Sequence, residues 1–187
     1  MKIIVVEKNN QFRLIPDSAL LLKHRPFFCP DYVQALHAKT MLVVKINRLG
    51  KYIQEKFAST YYDEIGFAIN FYDKTCLDLQ IQKGLPWERA TCFDGSFALS
   101  EFMAGADLLV HANNQLVFSK NDTEKQEFFV DLQQIPSIIA ELSTQMTLKI
   151  GDYIAIELGE INSTPFVIND VFRLSLGEKE IIRGVVK

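Results

Sequence analysis

Cysteine is scarce in this sequence and unpaired by pattern. Cys29, Cys76 and Cys92 are an odd number, with no C-x-x-C or C-x-x-H spacing. That argues against a disulfide scaffold or a zinc knuckle and fits a reducing cytosol. Long apolar runs are missing as well. No stretch nears the ~18 apolar residues of a membrane-spanning helix, and Ile3–Val6 is too short for the core of a signal peptide. Positive charge is not in excess: 20 Lys+Arg against 23 Asp+Glu leave a net charge of -3, with no basic run. Nucleic acid and membrane are therefore not expected partners. The histidines, His24, His37 and His111, have no companions at ligand spacing. G-x-S-x-G, Walker and G-x-G-x-x-G motifs are all absent.

What is there is an ordinary globular composition, 187 residues with 48% hydrophobic and 23% charged. That length points to a single domain over 1–187, large enough to fold without a staple. Strand signals dominate: Lys2–Glu7, Met41–Asn47, Ile65–Phe71, Tyr153–Leu158, Phe166–Ile168, Val171–Leu176 and Ile181–Val186. Ala106–Ala112 and Gln115–Ser119 flank Asn113-Asn114, which reads as a hairpin turn because Asn tolerates positive φ. Leu132, Ile135, Ile138, Ile139 and Leu142 recur at a helical period within Asp131–Ser143, with Pro136 expected in the first turn. Lys51–Ser59 and Thr75–Lys83 are shorter helical candidates, the second closed by Gly84 and Pro86. The fold class expected is α+β, mainly β, with a few short helices.

A hard divalent cation needs two or three oxygen ligands converging on one point, and alternate residues of a strand supply them well. The acids Asp63, Glu64, Asp73, Asp78, Glu88 and Asp94 cluster in sequence, but the strand around 39–45 offers Lys39 and Met41 in that alternation. From composition and spacing alone, the activity stays unassigned.

Several ordered segments carry more. They are Arg25-Pro26-Phe27-Phe28-Cys29-Pro30-Asp31, Leu42 to Lys51, Tyr61-Tyr62-Asp63-Glu64, Gly84-Leu85-Pro86-Trp87-Glu88, Phe93-Asp94-Gly95-Ser96 and Thr147-Leu148-Lys149-Ile150-Gly151-Asp152. Together they resemble the fumarylacetoacetate hydrolase family, especially its short bacterial members, from about Pro16 to the C-terminus. The resemblance implies a mixed β-roll or sandwich, usually a homodimer. It also implies magnesium- or manganese-assisted C–C hydrolysis, decarboxylation or isomerisation of acylpyruvates and other 2-oxo acids.

The family's functional positions are substituted here. Its two strand glutamates fall on Lys39 and Met41, its metal-binding Asp on Asn70 and its nearby arginine on Lys74. Its lysine before the Phe-Asp segment falls on Thr91, and the N-terminal lid is shortened. Sliding one strand by three residues would place Asp73 instead of Asn70 at the third ligand position.

An ammonium, a thioether and an amide in place of three carboxylates predict no metal ligands and no bound cofactor. The expectation is a catalytically inactive family member acting as a binding or structural subunit, with no catalytic residue assigned. Its degenerate pocket would be formed by Lys39, Met41, Asn70, Lys74 and Thr91, with Lys39 paired to an acid such as Asp73 or Glu157, and it could take a small carboxylate. The partner would be a second copy or a paralogue, in the cytoplasm. The alternative is a hydrolase, decarboxylase or isomerase of 2-oxo acids with relocated catalytic groups, drawn from Lys39, Lys74, Asp73 and Glu88. A Schiff base on Lys39 would require a depressed pKa there.

Overall fold

The computed structural model describes residues 1–8, 11–21, 25–105 and 115–187. The long apolar runs become strands, and each extends past its apolar centre because its pairing partner does. The strands are β1 (Ile3–Val6), β2 (Phe12–Ile15), β3 (Leu20–Leu21), β4 (Leu36–Ile46), β5 (Tyr62–Asp73), β6 (Phe97–Leu99), β7 (Met103–Ala104), β8 (Gln115–Lys120), β9 (Glu124–Phe129), β10 (Tyr153–Glu160), β11 (Val171–Leu176) and β12 (Lys179–Val185). The helices are α1 (Glu55–Ala58), α2 (Lys74–Lys83), α3 (Glu88–Thr91) and α4 (Ile135–Gln145). This is the mainly β arrangement expected, with short helices.

Among the described residues, one sheet runs β2-β1-β10-β4-β5-β6-β3, with β7 also on β5, and a smaller one runs β12-β11-β8-β9. β4 and β5 form its antiparallel spine, in register from Leu36 opposite Asp73 to Lys45 opposite Glu64. Strand residues alternate between the two faces. Leu42, Val44, Phe67, Ile69 and Phe71 face the smaller sheet, where they meet Phe118, Phe172 and Leu174 in the main core. Phe71 stacks on Phe27 at 4.6 Å and meets Phe172 edge-on at 5.1 Å. The opposite face carries a second apolar cluster of Ile3, Val5, Ile15, Met41, Val43, Ala68, Phe97 and Ala155.

Several local expectations shift for physical reasons. The hairpin proposed at Asn113-Asn114 lies outside the described residues. The turn seen instead joins β8 to β9 through Asn121 and Asp122, at φ 52 and 59. Those are two residue types that tolerate the left-handed region. Phe166–Ile168 is not a strand: Phe166 makes one bridge, its N–H donating to Leu36 O at 2.8 Å. α4 begins at Ile135, not Asp131, because Asp131 turns the chain first by accepting from Gln133 N at 2.8 Å. Gly84 closes α2 in the left-handed conformation, at φ 63.

Candidate functional site

The second apolar cluster ends in polar residues, and strand alternation explains why they meet. On β1, Ile3 and Val5 point to this face, and Glu7 follows in phase. Val5 lies opposite Ala155 of β10 and Arg13 of β2. Two residues on from Ala155, Glu157 lies opposite Met41, and Lys39 of β4 lies opposite Asn70 of β5. In sheet order the face therefore presents Arg13, Glu7, Glu157, Lys39 and Asn70 side by side.

Lys39 Nζ donates to Glu7 Oε2 at 2.5 Å and to Glu157 Oε2 at 2.9 Å. Arg13 Nε donates to Glu7 Oε1 at 3.1 Å, and Arg13 Nη2 donates to Asn70 Oδ1 at 2.8 Å. The Asn70 amide in turn donates to Ser96 O at 3.2 Å. These charges are largely shielded, with side-chain exposures of 18% for Lys39, 10% for Glu7 and 7% for Glu157. A cavity of about 270 Å³ opens over them, walled also by Tyr72, Trp87 and Thr91. The Tyr72 hydroxyl donates to Glu160, and burial followed by that carboxylate pushes its pKa well above the usual phenol range.

The two carboxylates are driven apart in acidity. Burial raises both, but the hydrogen bonds from Glu157 and Lys39, with the Lys39 and Arg13 charges, hold Glu7 far below the ordinary value. Glu157 is pushed up to about 7 by burial and by the Glu7 carboxylate, with Lys39 only partly offsetting this. The pair thus titrates as a unit, with Glu7 the more acidic member and Glu157 the less acidic one. Burial works against the Lys39 charge, but the hydrogen bond and charge of Glu7, then of Glu157, outweigh it and raise its pKa. A Schiff-base lysine needs the reverse.

Of the residues expected in the pocket, Lys39 and Thr91 wall the cavity and Asn70 joins the polar network through Arg13. Thr91 spends its hydroxyl on Trp87 O at 3.0 Å. Met41 is fully buried in the apolar floor. Lys74 does not belong to the pocket: its side chain is 45% exposed and pairs with Asp78 one helical turn on. Asp73, offered as a partner for Lys39 or a third ligand, caps α2 instead. It accepts from Cys76 N at 3.2 Å, Gln34 N at 3.0 Å and Ala35 N at 3.3 Å. Glu88 walls a neighbouring cavity. Glu7 and Arg13 were not foreseen. Their only signal is phase, since each continues the alternation of a buried strand and replaces an apolar side chain with a charge.

The motif order points to one family. Residues 5–156 match the fumarylacetoacetate (FAA) hydrolase C-terminal domain. The chain belongs to the fumarylacetoacetate hydrolase family.

It is 31% identical over 146 residues to the mitochondrial oxaloacetate tautomerase of Bos taurus. It is 29% identical over 145 residues to the oxaloacetate tautomerase YcgM of Escherichia coli. These matches cover 75% and 74% of this chain and 65% of each relative, so the match spans about two thirds of their length. A solved family protein from Yersinia pestis superposes with a TM-score of 0.85 at 20% identity, covering 100% of this chain and 92% of that one. Fumarylpyruvate hydrolase from Pseudomonas aeruginosa, in complex with Mn2+ and pyruvate, gives a TM-score of 0.80 at 15% identity, covering 100% and 89%.

Two expectations change. Inactivity finds no support, because the curated relatives are named as enzymes. The expectation of no cofactor is overturned by the hydrolase solved with Mn2+, which shares this fold. The side chains at the positions where the resemblance places the family's ligands do not fit a hard divalent ion. Lys39 is a cation bonded to Glu7 and Glu157, Met41 is a soft thioether, and Asn70 gives its oxygen to Arg13. No chemical step is therefore derived through a metal.

Proposed function

We propose that this chain is a fumarylacetoacetate hydrolase family enzyme that tautomerises small 2-oxo acids, with Glu157 as the proton-transfer group and Lys39 as its charged neighbour. The observation that carries this is Lys39 Nζ, held 2.5 Å from Glu7 and 2.9 Å from Glu157 beneath a cavity of about 270 Å³. Two titrating groups whose surroundings push their acidities apart are the usual mark of an acid–base assignment.

Tautomerisation removes a proton from the carbon beside a ketone and places one on the ketone oxygen. Glu157, with a pKa raised to about 7, is strong enough as a base to take the proton from carbon and then, as its acid form, to give it to the ketone oxygen. Lys39, kept charged, lowers the cost of the negative charge that collects on the oxygen in between. Glu7, ionised throughout, keeps Lys39 in that state.

The tautomerase names of the relatives support this reading over hydrolysis or decarboxylation, which the same groups could also serve. Pairing with a second copy or a paralogue and a cytosolic setting remain part of the reading. They rest on the family resemblance and, for the setting, on the three free thiols.

The test follows enol oxaloacetate by its ultraviolet absorbance with the purified chain, with and without added Mn2+. Conversion well above the blank is expected, and a Glu157→Gln chain should lose it. Conversion at the blank rate in both buffers, with acylpyruvates equally inert, would overturn the proposal.

A further inference from the structure

Arg13 holds a guanidinium nitrogen that the protein does not use. Nε serves Glu7 and Nη2 serves Asn70, while Nη1 is buried with no hydrogen-bond partner. Buried side-chain donors almost always have an acceptor, so an orphan of this kind calls for a reason. The other described orphans, on Thr40, Ser96 and Arg173, belong to residues that wall neither cavity at this face. Arg13 walls both. One is the cavity over Lys39 and Glu157. The other, about 470 Å³, lies on the far side of Glu7, Arg13 and Trp87 and is lined by Phe12, Leu85 and Pro86.

We propose that Arg13 anchors the carboxylate of the 2-oxo acid, supplying Nη1 as the donor while Glu7 and Asn70 hold the guanidinium in place. The chemistry favours an arginine here. Its planar fork keeps the third nitrogen oriented when the other two are tied, and a charge-assisted bond to a carboxylate is stronger than a neutral one. Lys39 is a poorer anchor, because Glu7 and Glu157 hold two of its three protons and offset its charge. Glu7 bonds both Arg13 and Lys39, and Lys39 bonds Glu157. Arg13 and Glu157 wall the same cavity, so a carboxylate that meets Nη1 after a small turn of the guanidinium, whose Nη1 is closed to solvent here, lies beside the group that moves the proton.

This inference rests on the reading of the cavity as a 2-oxo acid site, and its test separates the two. Titration calorimetry on the full chain compares pyruvate with its uncharged amide, pyruvamide. Wild type should bind pyruvate more tightly. Arg13→Lys, which keeps a charge beside Glu7, should weaken pyruvate about 10-fold and Arg13→Gln up to about 100-fold, as loss of a charge-assisted bond dictates. Pyruvamide should be unaffected. In turnover, Arg13→Lys should raise KM with kcat within about 2-fold, a split that a purely structural arginine would not give. Should Arg13→Gln fail to fold, Arg13→Lys decides.

Unchanged pyruvate affinity in a folded variant overturns the anchor, as does equal binding of pyruvate and pyruvamide by wild type. Arg13-dependent pyruvate binding without turnover would uphold the anchor and sink the tautomerase reading. Turnover that ignores Arg13 would do the reverse.

Discussion

Lys39 on β4 reaches Glu157 on β10 at 2.9 Å, on the face where the family resemblance places a metal-binding carboxylate at position 39. A positive charge at that position has two carboxyl groups beside it, Glu157 and Glu7. The charge pattern of the face is thus inverted at its centre and rebuilt at its edges, by residues from β1 and β10. The rebuilt site keeps what acid–base chemistry needs: a shielded cavity, one carboxylate held ionised and another poised near neutrality.

Glu157→Gln removes the poised group and changes little else, because the amide oxygen can still accept from Lys39. Turnover should fall about a hundred- to ten-thousand-fold, the usual share of a positioned proton-transfer group. The melting temperature at neutral pH should hold or rise, since a buried carboxylate beside Glu7 is lost. Stopped-flow absorbance and a thermal melt measure the two effects. A folded variant with wild-type turnover would remove Glu157 from the chemistry.

The sign of the pH dependence follows from the same pair. Glu157 has a folded pKa raised to about 7, so its protonated form stabilises the fold below its unfolded pKa of 4.5. That contribution is lost as pH rises toward 7. Glu7, held far below its unfolded value, behaves oppositely, and its contribution disappears only as pH falls below 4.5. Between pH 5 and 7.5 wild type should lose stability relative to Glu157→Gln, while activity rises over the same range as the base ionises. Parallel urea melts and rate profiles at stepped pH check both slopes.

Much of this arrangement was legible beforehand. The apolar runs of β4 and β5, the helical period of α4 and the left-handed Gly84 are local features, and local physics decides them. The ordered motifs identify the family and bring Lys39, Asn70 and Thr91 to one region. Glu7 and Arg13 stayed hidden because their importance depends on register. β1 pairs with β10 from the other end of the chain, and only that pairing sets Glu7 beside Glu157. Asp73 misled for the converse reason. It follows the site strand closely in sequence, yet its oxygens are consumed by three backbone N–H groups where β5 gives way to α2.

Asp73→Ala should therefore damage the fold and spare the chemistry. Losing the N-cap of α2 together with the acceptor for the Gln34 and Ala35 N–H groups costs about 1–2 kcal/mol. Asp73→Asn should cost less, because one amide oxygen can still accept. Urea denaturation measures the loss. Turnover per folded molecule, measured well below the melting temperature, should match wild type in both variants. A specific fall in kcat would place Asp73 in the site after all.

Lys39→Met makes the opposite demand. The side chain keeps much of its length, but the charge between Glu7 and Glu157 is gone. One carboxylate, Glu157, then takes a proton far above its ordinary range, and Glu7 keeps only Arg13 for company. Breaking a shielded ion pair from one side costs about 3 kcal/mol, and that should appear as a lower urea midpoint with an unchanged slope. Adding Glu7→Gln to Lys39→Met relieves the repulsion and should recover part of the loss, so the two changes are non-additive. Lys74→Met, at an exposed pair with Asp78, should cost less than about 0.5 kcal/mol and leave turnover intact. Equal effects at Lys39 and Lys74 would mean that the bridge to Glu7 and Glu157 contributes nothing, and with it would go the reason for placing the chemistry on this face.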